Sequence, residues 1–361
     1  MTTFDSKIAL GRASVRPARG KLFLTLLVLL LVVAVLSLAI GPTGISLQAL
    51  PRALAASLGY TTDAAAARDR LVLIDLRLPR TLLAAFVGAA LGTSGAMMQG
   101  LFRNPLADPG IVGVSSGAAL AAIATIVLGH GIAEPIVAPL GIYALPIAAF
   151  TGGLVTTILL VAIAARHGQL AVGTLLLAGI AIGALAAAIS GLIVYASDDR
   201  ELRDLTFWSM GSLSGASWQK VFAVTPFAIA IGFLIPRLTR GLNGFLLGEA
   251  EAMHLGIDTE RTKRIAIVAT AAAVGAAVAV AGIIGFVGLV VPHVLRLISG
   301  PDNRVVLPGS AILGAALVIF ADIIARMVVS PAELPIGIVL ALIGAPVFLH
   351  LVLRRGMGGW E

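Results

Sequence analysis

The chain has 361 residues, of which 59% are hydrophobic, 12% are charged and none is cysteine, and its net charge is +7. Soluble domains carry about 25% charged residues, so this composition, with a mean hydropathy of +1.04, excludes an ordinary water-soluble protein. The basic residues lie in short loops between apolar runs, which favours membrane orientation over nucleic-acid binding, and a chain without cysteine has no disulfide or zinc–sulfur site.

The first apolar run extends from Leu22 to Ile40 and follows a basic segment, as in a signal peptide. The apolar region of a signal peptide has only about 7–15 residues and ends at a small-residue cleavage site. This run is longer and ends at Gly41-Pro42. We therefore expect a retained first helix that follows a cytoplasmic N-terminal tail, residues 1–21.

Apolar runs of about 20 residues predict an all-α integral membrane protein with about ten transmembrane helices. They are expected near 22–40, 81–101, 111–129, 142–165, 171–196, 219–236, 264–281, 284–299, 305–328 and 334–353. The nearly continuous run 264–299 is expected to break at its glycines. Because no low-complexity linker or second soluble domain interrupts the pattern, residues 1–361 are predicted to form a single transmembrane domain.

Most of the 25 Lys and Arg residues fall on the side that holds the N-terminus. The positive-inside rule therefore predicts that both termini are cytoplasmic. The longest loop on that side is predicted at about 237–264. The loop 42–80 on the opposite side is an exception, because it is rich in arginine, and it is long enough to hold a short surface helix.

The chain contains no Gly-x-x-x-x-Gly-Lys-Ser/Thr loop despite its 41 glycines, so we predict that it is not an enzyme and does not hydrolyse ATP itself. The five histidines are scattered, which counts against a membrane-embedded redox subunit with paired haem ligands. Asp322 and Arg326 lie four apart and are expected to pair on one helical face. Because buried acids are few, an ion-coupled secondary transporter is an alternative with little support.

An ordered series of motifs runs from Arg77 almost to the C-terminus. It comprises Arg77-Leu-Pro-Arg80-Thr-Leu, Gly88-Ala-Ala-Leu-Gly-Thr-Ser-Gly95, Asn104-Pro-Leu-Ala-Asp-Pro-Gly110, Gly113-Val-Ser-Ser-Gly117, Leu247-Gly248-Glu249, Gly285-Phe-Val-Gly-Leu-Val-Val-Pro-His293, Ala321-Asp-Ile-Ile-Ala-Arg326 and Glu333-Leu-Pro-Ile-Gly337. Each motif alone is weak, but in this order they resemble the FecCD-type permeases, the membrane subunits of bacterial importers for ferric siderophores, haem and cobalamin.

The resemblance implies a type II ABC importer permease fold in the bacterial inner membrane. It implies a homodimer with two cytoplasmic ATP-binding subunits, which would bind ATP and Mg, and a periplasmic substrate-binding protein. This chain would hold no permanent cofactor and no metal. Residues 198–208, Asp-Asp-Arg-Glu-Leu-Arg-Asp-Leu-Thr-Phe-Trp, look most like the haem (hemin) branch. Haem is therefore the expected substrate, and ferric siderophore and cobalamin are the alternatives.

Three arginines match family positions that dock acidic residues of the periplasmic binding protein: Arg77, Arg80 and Arg326. This role would explain the arginines that break the orientation rule, since exposed guanidinium groups form bidentate contacts with carboxylates. The alternative is that Arg77 and Arg80 anchor a helix end and that Arg326 only pairs with Asp322.

The segment 246–264 is predicted to form two short helices and, by family position, to transmit movement from the ATPase. An amphipathic helix of this kind can seat in a groove of a partner. The predicted coupling residues are Leu247, Gly248, Glu249, Glu251, Leu255 and Gly256. The alternative is an ordinary solvated loop.

Family position also predicts a cytoplasmic gate near the dimer axis at Asn104, Leu106, Val172 and Gly173, and the alternative is that Pro and Gly nearby are plain helix ends. Arg200 and Arg203 are expected at the outer mouth, where they would attract a substrate carboxylate such as a haem propionate. A solvated loop of mixed charge is the alternative there.

Overall fold

The structure, a computed structural model, describes residues 19–42, 44–45, 47–60, 63–129, 131–166 and 169–355. These ranges are almost wholly helical, which confirms the all-α prediction. The helices are α1 Arg19–Ala39, α2 Leu50–Ser57, α3 Ala64–Arg70, α4 Leu78–Phe102, α5 Val114–Leu128, α6 Glu134–Val137, α7 Ala144–Ala164, α8 Val172–Tyr195, α9 Asp199–Ser209, α10 Trp218–Phe245, α11 Glu249–His254, α12 Thr259–Ala281, α13 Val287–Ser299, α14 Asn303–Met327 and α15 Ile336–Arg355.

Part of the sequence prediction lies outside the described residues. This applies to the N-terminal tail up to residue 18 and to two of the scattered histidines, His130 and His167. Only the last three positions of the predicted tail are described, and they form the start of α1.

Within the described ranges, 7 helical segments are long and apolar enough to cross a membrane. They are Arg19–Ala39, Ala64–Phe102, Glu134–Ala164, Val172–Tyr195, Trp218–Phe245, Thr259–Ala281 and Asn303–Met327. Three shorter apolar helices, Val114–Leu128, Val287–Ser299 and Ile336–His350, complete the predicted set. The run 264–299 breaks between Ala281 and Val287, as expected.

Two predicted loops are shorter than the sequence suggested. Helix α10 continues to Phe245 with Pro226 and Pro236 inside it, so the predicted loop 237–264 shrinks to the segment between α10 and α12. Membrane helices tolerate internal proline because neighbouring groups satisfy the freed carbonyls. In the loop predicted at 42–80, a widened helical turn, Leu71–Arg77, joins α3 to α4 and makes the second half helical.

Helix α4 lies at the centre of the bundle and packs along α14. The approach is closest at glycines: a Cβ on Gly88 would collide with the carbonyl of Gly314, and one on Gly95 would collide with the backbone of Gly288. A larger side chain at either position would push the helices apart, so these glycines set the packing distance. Helix α8, in contrast to α4, packs little against the rest of the chain, because only 6% of its apolar segment is buried within the chain.

The connection from α7 to α8 contains two very short antiparallel strands, β1 Ala165–Arg166 and β2 Gln169–Leu170. Leu170 is only 2% exposed, so this hairpin is anchored in the core. Only Ala171 separates this hairpin from the start of α8.

Candidate functional site

The predicted site residues lie at the two ends of the bundle. We call each end after a short helix that lies there. The α9 end holds α2, α3 and α9 together with the starts of α4 and α10. The α11 end holds α11 together with the ends of α4 and α10 and the start of α12.

At the α9 end, Arg80 is held by two carboxylates of the same chain. Its Nε and Nη2 donate to Asp322 Oδ1 at 2.9 and 2.8 Å, and its Nη1 donates to Glu333 Oε1 at 2.8 Å. The Arg80 side chain is 12% exposed and that of Asp322 only 1% exposed. Bidentate pairing of this kind joins the start of α4 to the end of α14.

Arg326 and Arg77 complete this group on either side. Arg326 pairs with Asp322 Oδ2 at 3.1 Å, as predicted from the four-residue spacing, and its Nη2 donates to Ser37 Oγ at 3.0 Å. Arg77 donates to the carbonyl oxygens of Leu38 at 2.6 Å and Ile45 at 3.0 Å. We call Arg77, Arg80, Asp322, Arg326 and Glu333 the arginine cluster.

The arginine cluster contains the three arginines that were predicted to dock a binding protein, but their side chains point into the chain and not toward solvent. Arg77 is 5% exposed and Arg326 is 4% exposed. The expectation of exposed guanidinium groups is therefore wrong, because buried guanidinium groups need carboxylates and carbonyls of their own chain. The anchoring of helix ends, which the sequence left open as the alternative, matches the observed contacts. Docking by these residues stays a prediction.

A cavity of about 670 Å³ opens at the α9 end between the ends of α5 and α7 and helix α9. Much of its wall is apolar and includes Leu145 and Trp208. Of the two residues predicted at a substrate mouth, Arg200 lines this cavity, and Arg203 is exposed on the next turn of α9. One guanidinium group therefore faces an apolar wall.

The cavity also contains carboxylates, and two of them are engaged by the start of α9. Asp198 accepts hydrogen bonds from the backbone N–H groups of Arg200 and Glu201 at 2.9 and 2.7 Å, and Glu201 accepts one from the N–H of Asp198 at 3.0 Å. This capping box fixes the start of α9, the helix on which Arg200 lies. Asp204 is a further acidic residue of the wall.

At the α11 end, the predicted coupling residues form a turn around α11. Leu247 and Leu255 are 64% and 65% exposed, and Met253 is 54% exposed. Gly248 has a φ of 118°, a conformation that favours glycine and that turns the chain sharply between α10 and α11. Exposed apolar side chains on a short helix outside the predicted spans form a surface suited to a protein partner.

A buried lysine that the sequence analysis missed ties this turn to the bundle. Lys263, 4% exposed, donates to the carboxylates of Glu249 and Glu260, the latter at 2.9 Å, and to the carbonyl of Leu170 at 3.2 Å. Glu260 Oε2 also accepts the N–H of Leu170 at 2.8 Å. We call these four residues the lysine cluster. The sequence did contain a signal for the ion pair between Glu260 and Lys263, because these residues lie three apart at the start of an apolar run.

The predicted gate residues lie at this same end. Asn104 Oδ1 accepts the N–H of Leu106 at 2.9 Å just after α4, and Val172 and Gly173 form the first turn of α8. The turn Pro109–Val112 that follows packs against α8. A cavity of about 430 Å³ is lined by Arg103 and Pro105, which follow α4, and by Leu246, which follows α10. The loop after α4 and the turn that holds the predicted coupling residues, here called the coupling turn, therefore border the same cavity.

Comparison with known proteins identifies this arrangement. The model of the FecCD transport family matches residues 29–354. The hemin transport system permease protein HmuU of Yersinia pestis is 43% identical over 283 residues, which cover 78% of this chain and 83% of the relative. The cobalamin import system permease protein BtuC of Halobacterium salinarum is 43% identical over 312 residues, which cover 86% of this chain and 80% of the relative.

A solved structure shares the fold. It is described as a metal-chelate type ABC transporter in an inward-facing conformation, is 32% identical and superposes with a TM-score of 0.80 over 93% of this chain and 99% of that chain. Relatives named for hemin and for cobalamin are equally similar in sequence. The likeness therefore fixes the class of transporter and does not separate these substrates.

Proposed function

We propose that this chain, which belongs to the FecCD transport family of ABC importer permeases, carries haem from the periplasm to the cytoplasm. As a permease subunit it binds and moves its substrate, and a separate ATPase chain hydrolyses ATP. The observation that carries the choice of haem is the cavity at the α9 end, where Arg200 faces an apolar wall that includes Trp208.

Haem is a flat apolar ring with two carboxylates, and both features have a counterpart in this cavity. Trp208 and Leu145 offer apolar surface to the ring, and Arg200 offers a charge-assisted hydrogen bond to a carboxylate. Asp198, Glu201 and Asp204 repel a carboxylate, so the attraction that Arg200 provides is weak. Modest affinity suits a pathway that must release its substrate.

The exposed helix α8 supports the homodimer that the family implies. One face of α8 combines small residues with large apolar ones: Leu177 and Ile180 are 72% and 71% exposed, and Ala184, Ala188 and Gly191 are exposed on the following turns. Small residues allow close approach of helices in a membrane. We assign this face to the second copy and to the pathway between the copies.

Coupling to the ATPase is assigned to α11 and the lysine cluster. The ATPase would contact Leu247 and Leu255, which flank α11. A movement of the ATPase would then shift α11 and, with it, Glu249. Because Lys263 joins Glu249 to the carbonyl of Leu170, the shift would reach the start of α8. Val172 and Gly173 lie there, so the predicted gate would respond to the coupling turn.

The binding protein would dock at the α9 end. Beside the arginine cluster, the side chains of Arg52 and Arg70 are 58% and 47% exposed, and Arg68 is exposed as well. Arg68 and Arg70 can meet acidic residues of a partner without breaking a buried ion pair, whereas Arg52 already pairs with the buried Asp69 at 3.6 Å. The α11 end then faces the cytoplasm of a bacterium whose inner membrane holds the protein, and both termini would be cytoplasmic.

The test is uptake into proteoliposomes that contain this chain, its ATPase and its binding protein. We expect ATP-dependent haem uptake that requires the binding protein, while cobalamin and a ferric siderophore stay outside. Arg200→Gln should lower haem uptake at low substrate concentration roughly fivefold, and Arg203→Gln, the matched control on the next turn, should leave it unchanged. Uptake of cobalamin or siderophore instead of haem would overturn the choice of substrate.

A further inference from the structure

A second cavity lies beside the one already described at the α9 end. It has a volume of about 280 Å³ and is lined by Lys220, so we call it the Lys220 cavity and its larger neighbour the Arg200 cavity. The two cavities share three lining residues, Ile142, Leu145 and Trp208. Because Ile142 is 81% exposed, their common wall is open to the surface. A ligand that lies against Trp208 in the Arg200 cavity can therefore extend a side group into the Lys220 cavity.

The two cavities differ in charge. The Arg200 cavity also contains the carboxylates of Asp198, Glu201 and Asp204. The described residues that line the Lys220 cavity include no carboxylate. A carboxylate that enters the Lys220 cavity therefore meets a cation without the repulsion that it meets beside α9.

Lys220 is the third residue of α10, and its side chain is partly buried. Its ammonium group lies next to Gly215, because a Cβ on that glycine would be 3.0 Å from Lys220 Nζ. Within the described residues, this ammonium group forms no hydrogen bond or ion pair. A cation in the first turn of a helix opposes the helix dipole, so the stability of α10 does not explain this lysine. An unpartnered charge at the end of a membrane helix is typical of a binding or transport site.

Two serines also line the Lys220 cavity. Ser212 Oγ donates to Ser214 Oγ at 2.9 Å and accepts the N–H of Ser214 at 3.1 Å. In the part of the chain that the structure describes, the hydroxyl hydrogen of Ser214 has no acceptor, so it can donate to a ligand. An ammonium group and a hydroxyl group in one cavity match the two oxygens of a carboxylate.

We infer that Lys220 binds a carboxylate of the transported substrate, with Ser214 as a second donor, while the apolar part of the substrate lies against Trp208. The inference rests on the proposed haem transport and names the residue that recognises the charged arm of that substrate. The haem ring occupies the Arg200 cavity, and a propionate, which is short and flexible, reaches into the Lys220 cavity. Since no carboxylate competes there, Lys220 contributes more than Arg200 to the preference for a substrate that bears carboxylates.

Haem uptake at low concentration into proteoliposomes with this chain, its ATPase and its binding protein tests this role. Lys220→Gln should lower haem uptake about tenfold, with an unchanged melting curve in detergent. Lys220→Arg keeps the positive charge and should lose clearly less. Gln219→Ala alters an exposed neighbour that lines neither cavity, and it should leave haem uptake unchanged.

A second substrate separates recognition of the carboxylate from a general loss of transport. Haem dimethyl ester has the same ring but no carboxylate, so Lys220→Gln should leave its uptake unchanged. The preference of the binding protein cancels, because each variant is compared with the unaltered chain for the same ligand. Unchanged haem uptake in Lys220→Gln, or an equal loss for haem and its ester, would overturn the inference while leaving haem transport in place. Failure of the unaltered transporter to take up haem would instead overturn the proposed function and the inference with it.

Discussion

The two ends of the molecule both bury cationic side chains, but they balance them differently. In the arginine cluster, Asp322 is 1% exposed and is shared by two guanidinium groups that are themselves nearly buried. In the lysine cluster, Lys263 is equally buried, but the side chains of its partners Glu249 and Glu260 are 41% and 26% exposed.

This difference separates a fixed end from one that can move. A carboxylate sealed between two cations cannot leave without exposing uncompensated charge, so the arginine cluster locks α1, α4 and α14 together. Carboxylates that reach water can exchange partners at low cost. The lysine cluster therefore suits a junction between the coupling turn and α8 that breaks and reforms during transport.

The largest expected effect comes from breaking the fixed end. Asp322→Asn removes the carboxylate shared by Arg80 and Arg326 and leaves two buried guanidinium groups undercompensated. We expect the free energy of unfolding to fall by about 3–5 kcal/mol, measured by denaturant titration of the purified chain in detergent. Glu333→Gln is the matched control and should cost clearly less, because Glu333 is 32% exposed and pairs with Arg80 alone. Equal losses would contradict the idea of a fixed end.

The next effect tests the movable end through function. Lys263→Met should lower the free energy of unfolding by only about 1–3 kcal/mol, because water reaches both freed carboxylates. Transport should fall at least roughly tenfold while ATP hydrolysis by the assembled transporter continues, since the link from α11 to Leu170 is lost.

Its control is Lys263→Arg, which keeps the positive charge and should recover part of the transport. Glu249→Gln should resemble Lys263→Met, because it cuts the same link from the other side. If Lys263→Met left the ratio of substrate moved to ATP hydrolysed unchanged, the lysine cluster would be a structural contact and not part of the coupling path.

The sequence was sufficient to predict the apolar helices and the ion pair between neighbouring turns of one helix. It was not sufficient to predict contacts between residues that lie far apart in the chain. Ten apolar runs are visible because lipid demands about 20 apolar residues for each helix. The pair Asp322–Arg326 is visible because helical geometry places residues four apart side by side. That Arg77 reaches the carbonyl of Leu38, or that Lys263 reaches Leu170, depends on how distant helices pack.

The same limit explains the wrong expectation that these arginines are exposed. A hydropathy pattern places Arg77 and Arg80 at a helix end but does not show whether their side chains face water or a neighbouring helix. The inward orientation of Arg80 follows from Asp322 and Glu333, more than 240 residues later in the chain, and that of Arg77 from the carbonyl oxygens of Leu38 and Ile45.

The smallest expected effect concerns a third polar junction, at the start of α14. Asp302 accepts the N–H of Arg304 at 2.9 Å and the amide of Asn243 at 2.8 Å, and it pairs with Arg19 at 2.7 Å. Burial alone would raise the pKa of Asp302, but these hydrogen bonds and the charge of Arg19 hold it below its ordinary value of 3.8.

Because the folded pKa lies below the unfolded one, the charge of Asp302 stabilises the fold above about pH 4, and this contribution is lost as the pH falls through the folded pKa. The difference in unfolding free energy between the unaltered chain and Asp302→Asn should be under about 1 kcal/mol at neutral pH, because Arg19 is 63% exposed. It should shrink in about 1 M salt and vanish once the pH falls below the folded pKa of Asp302. A difference that persisted in acid would mean that Asp302 acts through its hydrogen bonds and not through its charge, so this junction would lack the easily broken ion pairing inferred for the α11 end.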